Sequence, residues 1–154
     1  MISRDVNGSS MDARLADEAV EAIRSGKPVV RELLPGALTL ILPNPARRFE
    51  QLTGRRAERI GVRVPDLPEP AREILNRAGP VAATSANLAG GLDPRRLDDV
   101  PDEIRSGCAV VVDGGELPGT PSTVVDLTGP EPRVLREGAA PADEVLARLT
   151  GPVR

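Results

Sequence analysis

Apolar residues at positions 15, 16, 19, 20 and 23 share one face at helical spacing and predict a helix over 12–24, with Gly26 placed to stop it. A strand over 27–30 follows. The run Leu38-Thr-Leu-Ile-Leu42 is a short β-type apolar run, closed by Pro43 and Pro45. Residues 47–52 suit one or two helical turns, and 60–64 suit a second strand. Pro70 stands at the favoured first position of a helix over 70–78 that sets Ala71, Ile74, Leu75 and Ala78 on one face. A short strand over 81–83 leads into the polar turn Thr84-Ser-Ala-Asn87. A brief helix over 101–105, a buried-type strand over 109–112, strands over 123–127 and 133–135, and an amphipathic helix over 141–149 complete the chain.

Helices and strands alternate with short connections, which predicts an α/β or α+β mixed sheet with helices packed on it. The 16 Pro and 15 Gly are scattered over turns with no linker or repeat, so residues 1–154 read as one domain. No apolar run reaches the length of a membrane span and the first residues have no apolar core, so the expected location is cytoplasmic, away from membranes.

Composition narrows the chemistry. There is no His, which excludes imidazole catalysis and His-ligated metals. The lone Cys108 excludes an internal disulfide and a Cys-cluster zinc site, and reads as a small buried apolar residue. With no Trp or Tyr and only Phe49, no aromatic platform can stack nucleobases. What is left is Ser, Thr, Asn, Arg, carboxylates and backbone amides. All cations but Lys27 are Arg, the side chain that grips carboxylate and phosphate with two prongs.

The net charge is -3, but it is uneven. Six Arg between 47 and 63 face two Glu, a local +4, and six acids between 98 and 116 face Arg105 alone, a local -5. The basic stretch is either a solvated face or an anion site for nucleotide phosphate or RNA. There is no G-x-x-x-x-G-K-S/T loop, G-x-G-x-x-G fingerprint or G-x-S-x-G elbow.

Four segments in order carry a more specific signal: Leu34-Pro-Gly-Ala-Leu-Thr-Leu-Ile-Leu42, Ile60-Gly-Val-Arg-Val-Pro65, Thr84-Ser-Ala-Asn87, and Ser122-Thr-Val-Val-Asp126 with Val134-Leu-Arg-Glu-Gly138. The set resembles the YrdC-like family of threonylcarbamoyl-AMP synthases, most strongly over 35–138. The resemblance implies a nucleotidyltransferase that joins L-threonine, bicarbonate and ATP into threonylcarbamoyl-AMP, with Mg²⁺ accompanying ATP. The product passes to the tRNA threonylcarbamoyl-transfer machinery. The implied fold is a twisted mixed sheet with flanking helices, open on one side as a basic groove. By the same resemblance Arg63, Ala83 and Ser122 contact L-threonine, and Arg59, Ser85, Asp93 and Arg136 contact ATP. Asn87 and Thr123 support the loops. Positioning falls to Arg63 and Arg136, and no side-chain nucleophile is required.

The chain departs from the family pattern in its N-terminal part. It lacks a Pro-Thr-x-Thr-x-Tyr-Gly loop and a Lys-x-Arg segment, as the absence of Tyr and the single Lys27 require. That predicts fewer cations in the groove and more exposed strand edge and apolar surface. It also opens an alternative reading, a catalytically impaired paralogue that binds RNA or a protein partner.

Overall fold

The computed structural model describes residues 34–53 and 55–150. The helix expected over 12–24 and the strand over 27–30 lie outside the described residues. The described chain falls into two compact units, one of Leu67–Thr120 and the other of the residues up to Asp66 together with those from Pro121.

The second unit is built on a four-stranded mixed sheet with flanking helices, an α/β arrangement. Strand β1 is Leu38–Pro43, β2 is Arg59–Val62, β3 is Thr123–Asp126 and β4 is Arg133–Arg136, in spatial order β2-β1-β3-β4. β1 pairs antiparallel to β2 (Leu40 opposite Val62) and parallel to β3 (Leu40 beside Val125). β4 returns antiparallel to β3, with a register shift at Val124/Val125.

Alternation along β1 decides the faces. Leu38, Leu40 and Leu42 are buried and pack with Val125 and with Val145 of the last helix, Ala142–Thr150. Leu34, Ile60, Val62, Leu127, Val134 and Leu149 extend this core. All of it lies on one face, because period two sends Thr39 and Ile41 to the other. Residues paired across the strands share that second face: Gly61 with Ile41, Val124 with Thr39, Asp126 with Ile41, and Arg136 with Val124.

Between β1 and β2 the chain loops through the short helix α1, Glu50–Thr53. The expected start at 47 does not hold, because Arg47 and Phe49 take left-handed backbone (φ 49° and 59°) that no right-handed helix accepts. Asn44 holds this loop from inside. It is 7% exposed; its amide donates to the carbonyls of Arg48 (2.8 Å) and Ala57 (2.7 Å), and its Oδ1 accepts from the Arg48 amide (3.1 Å). A buried polar side chain is stable here because each of these bonds replaces one to water.

The unit of Leu67–Thr120 contains helix α2, Ala71–Ala78, a 3₁₀ turn at Leu97–Asp99 and helix α3, Asp102–Ser106. Gly79 follows α2 with φ 73°, a conformation that glycine adopts without steric cost and that ends the helix. Two expected strands are absent. Residues 81–83 and 109–112 are irregular, and Val110, Val111 and Val112 are 77%, 45% and 51% exposed. A β-rich run becomes a strand only by pairing, and neither stretch finds a partner among the described residues. Cys108 is half-buried, its thiol directed at the Ile104 carbonyl (3.3 Å), so full burial was an overstatement.

The acidic stretch is organised locally. Glu116 is gripped by Arg95 (3.0 Å) and Arg96 (2.6 Å), Asp99 accepts from the amides of both arginines, and Arg105 pairs with Asp98 and Asp102. These exposed pairs set loop shape and add little stability.

Candidate functional site: the polar face of the sheet

In the sheet unit the polar face gathers Arg59, Thr39, Ser122, Asp126, Arg133 and Arg136 by register. Arg63 follows β2 by one residue, and alternation from Gly61 puts it at the same face; it is exposed.

The closest cluster is at the start of β3. Ser122 is 4% exposed, and its Oγ lies 2.7 Å from Thr39 Oγ1. Arg136 reaches across from β4 and donates from Nε (3.2 Å) and Nη2 (2.9 Å) to the Ser122 carbonyl, and from Nη2 to Ser122 Oγ (3.4 Å). A guanidinium has five N–H donors, so most of the fork on its far side is still free to meet an anion. Thr123 points the other way and is fully buried. Its Oγ1 donates to the Ala140 carbonyl (2.5 Å) and accepts from the Gly138 amide (2.8 Å), tying β3 to the chain that leaves β4.

At the other end of the same face lies a cavity of about 390 Å³ lined by Arg56, Arg59, Asp126, Thr128, Glu131 and Arg133, among others. Arg59 donates to Glu58 (3.4 Å) and to Asp126 (3.4 Å). Asp126 also accepts from the Thr128 hydroxyl (2.6 Å) and amide (2.9 Å). Those two bonds from Thr128, helped by the charges of Arg59 and Arg133, hold its carboxyl below the usual carboxylate range. The folded-state pKa lies below the unfolded one. The stabilisation is therefore present in full above the unfolded value and is lost as pH falls through the folded value. Asp126→Asn is expected to flatten the loss of stability on acidification in that window, measured as urea midpoints across pH; a profile parallel to the parent's would remove Asp126 from this account.

Ala83, Ser85, Asn87 and Asp93 belong to the other unit. Ala83, Ser85 and Asp93 are exposed. Ser85 follows irregular chain rather than a strand end, contrary to expectation. Asn87 is half-buried, and its amide donates to the carbonyls of Leu88 (3.1 Å) and Gly91 (2.8 Å), closing the turn that follows Ser85. Its Oδ1 is buried with no hydrogen-bond partner.

Sequence reasoning missed Thr39, Asp126, Thr128 and Arg133. The signal for Thr39 and Asp126 was present: each is a polar residue at an alternate position of an apolar strand, which marks the face turned from the core. Thr128 and Arg133 flank the β3–β4 turn, and only the pairing of those strands brings them to the cavity.

A mixed sheet with an apolar face under a helix and an opposite face set with guanidinium and hydroxyl groups defines the class, an open-sheet α/β protein. The comparisons give that class its family. The Sua5/YciO/YrdC family profile, described as "Telomere recombination", matches residues 10–138. The threonylcarbamoyl-AMP synthase of Bacillus subtilis is 32% identical over 142 residues, covering 92% of this chain and 41% of that protein. A crystal structure of Pyrococcus abyssi Sua5 complexed with L-threonine superposes with a TM-score of 0.68 at 28% identity, covering 99% of this chain and 40% of that one. A doubly substituted form of the same Sua5 gives a TM-score of 0.72 at 32% identity, over 87% of this chain and 41% of the other. The chain belongs to the Sua5/YciO/YrdC family, and it spans about two fifths of the length of these relatives. No helix among the described residues is long and apolar enough to cross a membrane.

Proposed function

We propose that this chain carries the nucleotidyl-transfer site of an L-threonylcarbamoyladenylate synthase. L-threonine and bicarbonate form a carbamate with loss of water, and the carbamate oxygen attacks the α-phosphorus of ATP. The bond from the α-phosphorus to the α,β-bridging oxygen breaks, and pyrophosphate leaves. The single observation that carries the reading is the shared sheet face of Arg59, Ser122 and Arg136, with Arg63 at its edge. The family membership and the L-threonine bound by the Pyrococcus relative support it.

Reactant and transition state are crowded with negative charge, so positioning and cationic stabilisation are the main contributions a protein can make. Arg63 would hold the threonine carboxylate in a fork, with Ser122 beside it. Arg136, already anchored on the Ser122 carbonyl, would turn its free donors to ATP phosphate. Arg59 would add a further contact to ATP. Asn87 and Thr123 would keep the two loops in shape. The described residues hold no group of three or more Asp, Glu or Cys that could cage a metal ion. Mg²⁺ would arrive coordinated by the ATP phosphates. The product is an activated carbamoyl donor for tRNA adenosine.

Pyrophosphate release that requires L-threonine, bicarbonate and ATP together is the expected result. Arg63→Ala should raise the KM for L-threonine, and Arg136→Ala should lower turnover by about a hundredfold, the scale of losing a charge-stabilising donor. No release at micromolar protein would overturn the proposal.

A further inference from the structure

Thr39 is the second residue of the otherwise apolar β1, paired with Val124 of β3 and turned away from the core. Its hydroxyl has a defined neighbour, Ser122 Oγ at 2.7 Å, although 83 residues separate the two in sequence. Each of these hydroxyls carries one proton, and a 2.7 Å separation requires one of those protons between the oxygens. Arg136 Nη2, 3.4 Å from Ser122 Oγ, can only donate. Ser122 Oγ thus already accepts from one side. If Ser122 donates to Thr39, its proton is used inside the sheet. If Thr39 donates to Ser122, the Ser122 O–H is released toward the polar face.

We infer that Thr39 is a positioning residue for substrate binding: by donating to Ser122 Oγ it fixes the Ser122 rotamer and turns the Ser122 proton toward a carboxylate ligand on the polar face. An anionic acceptor selects this arrangement, because the order Thr39 to Ser122 to carboxylate leaves every proton on an acceptor. Arg136 needs no help from Thr39, since its two shortest bonds go to the Ser122 carbonyl. Thr39 therefore acts on the carboxylate contact and not on the guanidinium. The inference rests on the proposed function for the identity of the ligand, and on the Thr39–Ser122–Arg136 distances for the rest.

The test is calorimetric titration of the full chain with L-threonine and, separately, with ATP. Thr39→Val deletes the hydroxyl and keeps the shape. It should weaken L-threonine binding about tenfold, the scale of one lost hydrogen bond, and leave ATP binding unchanged. Thr39→Ser should restore L-threonine affinity to within about twofold, a rescue that requires only the oxygen. Ser122→Ala is the control for the underlying reading. If Ser122→Ala weakens L-threonine binding and Thr39→Val does not, the positioning role is overturned and the site stands. If Ser122→Ala has no effect, or the parent chain binds no L-threonine, the site reading fails. The NMR couplings that report the Ser122 χ1 rotamer without ligand then decide the positioning role. One rotamer in the parent with averaging in Thr39→Val upholds it, and one rotamer in both overturns it.

Discussion

Gly138→Ala is expected to destabilise the sheet unit by on the order of 3 kcal/mol, a fall of about 10 °C in melting temperature. A Cβ at this position would land on the Pro121 carbonyl oxygen and stand 2.6 and 2.7 Å from the carbonyl carbon and oxygen of Ser122. These are backbone atoms and cannot rotate aside. Gly138 comes this close because its amide bonds Thr123 Oγ1 (2.8 Å) while the next amide, Ala139, bonds the Pro121 carbonyl (2.9 Å). Moving the chain to make room breaks both and shifts the Ser122 carbonyl on which Arg136 is anchored. The variant should therefore lose ligand affinity along with stability. A melting temperature within about 2 °C of the parent would show that the chain leaving β4 yields easily, and the argument would fail.

Leu40→Ala should cost about 3 kcal/mol, the middle of the range for deleting a buried leucine. Leu40 is fully buried, and it sits between Val62 and Val125 in the sheet register, in the core that Val145 closes from the last helix. Strands on both sides are hydrogen-bonded to β1, so the backbone cannot collapse into the vacated volume. The urea midpoint should fall with the slope unchanged. The comparison is Leu135→Ala, at a residue 53% exposed, which should cost less than about 0.5 kcal/mol. Equal costs at the two positions would mean that the core is not where burial puts it.

Elements that carry their own instructions were legible in the sequence. The apolar run 38–42, closed by Pro43, marked β1, and Pro70 with Gly79 bracketed α2 within a residue. The last helix followed from Ala142, Val145, Leu146 and Leu149 on one stripe, and Val145 is the buried one. The runs 81–83 and 109–112 failed because apolar β-formers state a willingness to pair without naming a partner. Asn44 and its three loop bonds left no trace, since an Asn between prolines reads as a turn residue that caps itself. The site was partly legible. Arg63, Ser122 and Arg136 stood out by resemblance, while the hydroxyl pair Thr39–Ser122 joins two strands that only the parallel pairing of β1 and β3 brings side by side.

That parallel pairing also sets an order of events during synthesis. The chain makes β1 and β2 early and can zip them as neighbours, but the other edge of β1 is unsatisfied until Thr123–Asp126 is made, after the whole of Leu67–Thr120. A nascent chain on the ribosome thus carries a bare, leucine-rich strand through more than fifty residues of elongation, and the slow, non-local closure waits until β3 has been made.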